Sequence, residues 1–189
     1  NPDGIENILS RVTGGNPSNI FGRLGVLGEA NLFLLNPNGI IFGKNASLDL
    51  QGSFLGTTAS GIVFGQNGLF SAIEPNVPSP LLTVNPSALF FSQVAAQPII
   101  NRSVFPNALT PDIPDGLRVP EGQSLLLVGG DVRLEAGNLR APGGRVELGG
   151  LAEAGTVGLN IDENNPFSIS ATRKYLFHHR YWWLTGKAW

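Results

Sequence analysis

Apolar residues along this chain come in runs of three to five, each cut by glycine, asparagine or proline. Runs of that length are too short for helices of ordinary size, and the β-branched and aromatic residues within them favour strands. The pattern predicts strands at 24–27, 31–35, 40–42, 47–50, 53–57, 62–64 and 69–72, and again at 124–128, 131–135, 145–148 and 156–160. One phrase returns three times: Ile20-Phe21-Gly22, Ile41-Phe42-Gly43 and Val63-Phe64-Gly65, the last two inside longer copies, 39–45 and 61–67, that lie 22 residues apart. Self-similarity at such a period predicts an all-β solenoid in which each coil is one repeat. Two or three strands per period would stack in parallel on the coils above and below, about 4.8 Å apart. Identical residues at matching positions would then align, Phe21, Phe42 and Phe64 as a core ladder and Asn45 with Asn67 as an amide ladder at a turn.

Residues 74–121 break this rhythm. Nine of the 14 prolines fall there, and proline cannot donate to a ladder, so the segment is expected to form extra-helical loops. The run 87–94 within it is expected to return briefly to the stack. Further on, Gly129-Gly-Asp-Val-Arg-Leu and Gly143-Gly-Arg-Val-Glu-Leu share a phrase 14 residues apart. They are either successive faces of one coil or separate, shorter coils.

Composition narrows the function classes. The chain has 189 residues with 25 Gly and 14 Pro, 14% charged residues and a net charge of −2. That balance excludes a disordered tail and gives no electrostatic reason to expect nucleic acid or an anionic membrane surface. Eight of the 12 Lys/Arg and all 14 Asp/Glu lie in 1–170, whereas 171–189 carries the other four cations and every Trp, Tyr and His. The expected organisation is a domain over 1–170 followed by an atypical tail that is read out of frame or foreign to the domain. No Cys is present, which rules out disulfides and thiolate metal sites and suits a chain that stays unfolded in an oxidising compartment. The missing Met at position 1 reads as a piece of a longer product, with any signal peptide upstream.

Catalytic signals are weak. Gly39-Ile-Ile-Phe-Gly-Lys-Asn45 is one residue short of a phosphate loop and lacks the hydroxyl residue after lysine. Asp49, Asp112, Asp115 and Asp131 are scattered over turn and alternating positions rather than clustered as acid–base chemistry needs. The adjacent His178 and His179 point apart on a helix or a strand alike, so they make a poor metal site. The expectation is a protein that is not an enzyme and has no cofactor, metal or small-molecule substrate. The sequons Asn45-Ala-Ser47 and Asn101-Arg-Ser103 are read as chance.

Asn-Pro occurs at residues 1, 16, 36, 85 and 165, a set of turn formers, since asparagine caps its own neighbours and proline fixes φ. The third has the richest surroundings: Asn36-Pro37-Asn38-Gly39-Ile40, preceded by Gly22-Arg-Leu-Gly-Val and Gly28-Glu-Ala-Asn31, and followed by Gly52-Ser-Phe-Leu-Gly-Thr-Thr-Ala59. Residues 1–60 carrying these phrases resemble the secretion domain of the filamentous haemagglutinin family, the exported partners of two-partner secretion systems in Gram-negative bacteria. Residues 5–15 resemble its cyanobacterial members, and the later Gly-Gly-x-Val-x-Leu block its continuing β-helix. The family's first motif is Asn-Pro-Asn-Leu; here Asn1-Pro2-Asp3-Gly4 stands in its place, and the family's N-terminal cap precedes the residues given.

The resemblance implies a right-handed parallel β-helix that is secreted across the outer membrane to the cell surface or medium, as a monomer. Its implied partner is an outer-membrane β-barrel transporter whose periplasmic POTRA domains bind the exported chain, by strand addition for example. Asn36, Pro37, Asn38, Gly39 and Ile40, with Asn1 and Pro2, are then the candidates for transporter recognition or for nucleating the first coils. The competing class is a structural or carbohydrate-binding β-helix without a dedicated transporter.

Overall fold

Short strands joined by tight corners wind the chain into coils, and a computed structural model describes residues 4–75, 85–92, 97–107, 112, 114–151, 153–162, 165–171 and 186–187. Coil 1 comprises β1 (Asn7–Arg11), β2 (Ser18–Ile20) and β3 (Arg23–Gly25); coil 2 comprises β4 (Asn31–Leu35), β5 (Ile40–Phe42) and β6 (Ser47–Asp49). After β7 (Phe54–Thr57) opens coil 3, the chain leaves the stack for β8 (Gly61–Val63), β9 (Leu69–Ser71) and β10 (Ala88–Phe91). It returns through β11 (Ile99–Asn101) and β12 (Leu117–Arg118). Coil 4 is β13 (Ser124–Gly129), β14 (Val132–Leu134) and β15 (Leu139–Arg140), and β16 (Arg145–Gly150) begins the next. Then come β17 (Gly155–Asp162), β18 (Asn165–Ala171) and β19 (Gly186–Lys187).

Corresponding strands pair in parallel, which makes this a β-helix. One face runs β1-β4-β7-β13-β16, with β19 antiparallel on its last strand, and a second runs β2-β5-β11-β14. The third consists of two pairs, β3 with β6 and β12 with β15, and β12 lies against β6. The Gly-Gly-x-Val-x-Leu phrases occupy successive faces of one coil, since Val132 pairs with Ile99 on the second face and Val146 with Leu125 on the first.

The first face is buried on both sides. Ile8, Leu32, Phe54, Leu125 and Val146 align coil to coil and point into the solenoid, where they join Ile40, Phe42, Ile99, Leu117 and Val119. The alternate positions Leu9, Phe33, Leu55 and Leu126 point outward into a second apolar cluster. A five-stranded antiparallel sheet, β18-β17-β10-β8-β9, supplies Ile62, Leu89, Phe91, Val157, Leu159 and Phe167 to that cluster. Double burial explains the unbroken apolar runs Leu32–Leu35 and Leu125–Val128, because a strand covered on both sides has no polar face to alternate with. Phe42 meets Phe54 edge-on at 6.1 Å inside the solenoid, and Phe33 meets Phe167 at 5.8 Å outside it.

The expected phenylalanine ladder does not form. Coils 1 and 2 are in register at 22 residues, Ile20 opposite Phe42, whereas Phe21 precedes Phe42 by 21. Phe21 therefore stands one position further on, 66% exposed, with its ring over Gly43 where any Cβ would collide with it. Phe42 is in the inner cluster and Phe64 in the outer one. The third copy of the phrase lies in the hairpin β8–β9, which pairs antiparallel. Asn45 and Asn67 are both exposed, and the amide ladder is instead Asn7–Asn31, with Asn31 Nδ2 donating to Asn7 Oδ1 at 3.0 Å. Within the proline-rich segment the run at 87–94 does not rejoin the stack: β10 pairs antiparallel with β8 and β17, and the return is made by β11. The proposed tail lies outside the described residues except at its start and at β19, as do His178, His179, Asn1 and Pro2.

Candidate functional site: the Asn36–Ile40 corner

Between β4 and β5 the chain turns from the first face to the second in four residues. Asparagine, proline, asparagine and glycine are what a type I turn asks for at its successive positions, and the Asn36 carbonyl accepts the Gly39 N–H at 3.1 Å. Gly39 has φ +110°, and its α-carbon faces the Pro98 carbonyl so closely that a Cβ would lie 3.2 Å from that oxygen. Glycine is needed there both for the angle and for the approach.

Asn36 is fully buried, and every polar atom of its side chain is used. Its Oδ1 accepts the Asn38 N–H at 2.9 Å; its Nδ2 donates to the Asn16 carbonyl at 3.1 Å and to Ser18 Oγ at 2.9 Å. Its backbone N–H donates to the Thr57 carbonyl at 3.0 Å. One residue thus ties coil 2 to coil 1 on one side and to coil 3 on the other. Asn38 Nδ2 donates to the Gly14 carbonyl at 2.7 Å, Ser18 N–H to the Gly39 carbonyl at 3.0 Å, and Ile40 N–H to the Pro98 carbonyl at 3.3 Å. Ile40 itself is buried in the inner cluster.

Only Pro37 and Asn38 reach the surface, half-buried. They line a recess of about 380 Å³ with the loop 12–15, Ala72, Ile73, Pro75 and Gln97. None of these residues is ionisable, so the recess offers amide and apolar contacts rather than charge. Arg11 holds the far wall: its guanidinium donates to the Ser71 and Pro75 carbonyls, both at 2.7 Å, and lies 4.5 Å from the centre of the Phe70 ring.

The acids that an enzyme would need are engaged separately. Asp49 pairs with Arg23 at 3.2 Å and Asp131 with Arg133 at 2.6 Å, while Glu74 follows the outer strand β9. Asp115 is a structural hub, accepting from Asn107, Arg118 and Arg140 at 2.9–3.1 Å. Among the described residues no group of three His, Asp or Glu could hold a metal ion.

The model of the TPS secretion domain family matches residues 1–174. The chain belongs to that family. As a TPS secretion domain it is part of a haemagglutinin-like substrate of two-partner secretion, exported with the help of an outer-membrane transporter to the outer membrane or beyond. No curated protein matches the chain.

Two residues of this TPS domain's corners escaped the motif reading. Asn31 accepts the Ser53 N–H on Oδ1 at 2.8 Å and donates to the Glu6 carbonyl at 3.1 Å, bridging three coils where the third face turns into the first. Asn101, in a triplet that reads as a chance sequon, makes the same kind of bridge elsewhere. The shared signal is an asparagine directly after an aliphatic pair, Leu34-Leu35-Asn36 and Ile99-Ile100-Asn101, which marks a strand ending in a corner.

Proposed function

We propose that the POTRA domains of the transporter bind this domain while it is extended, and that the Asn36–Ile40 corner then seeds the β-helix outside the cell. The observation that carries the reading is the burial of Asn36 with all its side-chain hydrogen bonds made inside the chain. A side chain so enclosed offers nothing to a receptor once the coils are closed, so a transporter that reads it must do so earlier. Its removal would orphan the Asn38 N–H and two acceptors in coil 1, the situation in which lost hydrogen bonds cost most. Coil-by-coil folding also supplies direction without nucleotide energy, because each added repeat gains a neighbour interface and disfavours return. The product is a monomer at the cell surface or in the medium, and its work is recognition and folding rather than catalysis.

Immobilised POTRA domains of the partner transporter, offered the chain freshly diluted from urea or already folded, test this. Binding of the unfolded chain only, equal for wild type and Asn36→Ala, is expected, with the variant slower to fold afterwards. Equal binding of the folded chain, lost in Asn36→Ala, would make the corner a surface epitope instead.

A further inference from the structure

Between β7 and β11 the chain builds three strands outside the solenoid and must then find the stack again in the correct register. The residue at which it does so is Asn101, the last of β11. Asn101 is fully buried, like Asn36. Its Oδ1 accepts the N–H two residues on, that of Ser103, at 2.9 Å, and its Nδ2 donates to a carbonyl of the next coil, that of Asn138, at 3.1 Å. The Asn36 side chain makes the same pair of contacts, at 2.9 Å to the N–H two residues on and 3.1 Å to a carbonyl one coil away.

The neighbours of Asn101 extend the junction in both directions. Arg102 N–H donates to the Phe42 carbonyl at 2.9 Å and Ser103 Oγ to the Ala46 carbonyl at 2.6 Å, both in coil 2. Glu135 N–H donates to the Asn101 carbonyl and Asn138 N–H to the Ser103 carbonyl, each at 2.8 Å, both from coil 4. Gly137 packs so tightly on the Asn101 carbonyl that no side chain fits there.

We propose that the Asn101–Ser103 corner is a second seed of the β-helix, which restores register after the excursion and on which coil 4 is laid down. Asn101 is a positioning residue in the folding step of export, and the proposal rests on the nucleation reading of Asn36. It also separates two kinds of corner. The one at Asn36 is fixed by local turn chemistry, and the one at Asn101, lacking proline and glycine, is fixed by the coils on either side.

Refolding of the full chain from urea, followed by far-UV circular dichroism, tests it with Asn101→Ala, Asn101→Asp and Asn36→Ala. A residue formed in the transition state slows folding when removed, whereas one that docks later speeds unfolding. Asn101→Ala is expected to refold about tenfold more slowly with little change in its unfolding rate. Asn101→Asp keeps the acceptor for Ser103 N–H and is expected to recover part of the loss. An unchanged refolding rate with faster unfolding would overturn the second seed. Asn36→Ala slowed alone would confine seeding to the first corner, and neither variant slowed would remove the nucleation reading altogether. Should Asn101→Ala not fold, pulsed hydrogen exchange on the unmodified chain decides. Protection of Arg102, Ser103 and Asn138 amides in the same phase as Asn38 and Gly39 supports the proposal. Protection only together with β17 overturns it.

Discussion

The two apolar clusters on either side of the first face are assembled from very different distances along the chain. Inside the solenoid, coils 1 and 2 meet at offsets of 22 to 24 residues, as in Asn7 with Asn31 and Ser18 with Ile40, and coil 4 meets β16 at 21, Ser124 with Arg145. Outside it, Phe33 waits for Phe167 and Leu89 for Val157. Contacts between near neighbours in sequence are cheap to close, and remote ones are slow. The inner core can therefore grow as successive coils become available, whereas the outer layer closes only when β17 and β18 are present. In a chain exported end-first, that difference separates a scaffold formed during passage from a cover applied afterwards.

The largest effect is expected from Phe42→Asp, which places an unpaired charge in the inner cluster. The coils should fail to form, visible as loss of the cooperative β-sheet transition, and export driven by coil stacking should slow with it. Phe167→Ala attacks the other side. It should cost about 3 kcal/mol, the lower end for an emptied phenylalanine site, and hydrogen exchange should rise in β10, β17 and β18 while β4 and β5 keep their protection. Equal loss of protection in both sets would erase the distinction between the layers. Asn36→Ala should cost about 2 kcal/mol in urea denaturation, since it orphans buried partners. Arg11→Ala, which unties β9 from coil 1, should cost roughly 1–2 kcal/mol through lost charge-assisted hydrogen bonds and the ring contact. Phe21→Ala should change stability by about 0.5 kcal/mol or less, as befits an exposed side chain. A ladder phenylalanine would cost several times more.

How much of this was legible in the sequence depends on where a segment's partners lie. The strands at Asn31–Leu35 and Ile40–Phe42 were readable to the residue, because turn formers bound them on both sides and their partners are one coil away. Gly61–Asn67 looks like a copy of Gly39–Asn45 and also forms a strand and a turn, yet it pairs antiparallel with β9 and β10. The phrase encodes local shape, and remote strands choose its neighbours. Phe21 failed for a smaller reason: a one-residue change in coil length moves every later side chain to the other side of the wall. At the candidate site, proline and glycine betray the Asn36 corner to any reader of turns. Asn101 has neither, so only the carbonyls and N–H groups of coils 2 and 4 reveal its role.

Since the chain contains no cysteine, single thiols can report the order in which the layers close. Leu34→Cys, inside the solenoid, and Leu89→Cys, beneath the outer sheet, would be pulse-labelled with a thiol reagent at intervals during refolding of the full chain. Protection of Cys at 34 in an earlier phase than at 89 is the predicted result. Simultaneous protection, or protection at 89 first, would contradict a scaffold that forms before its cover.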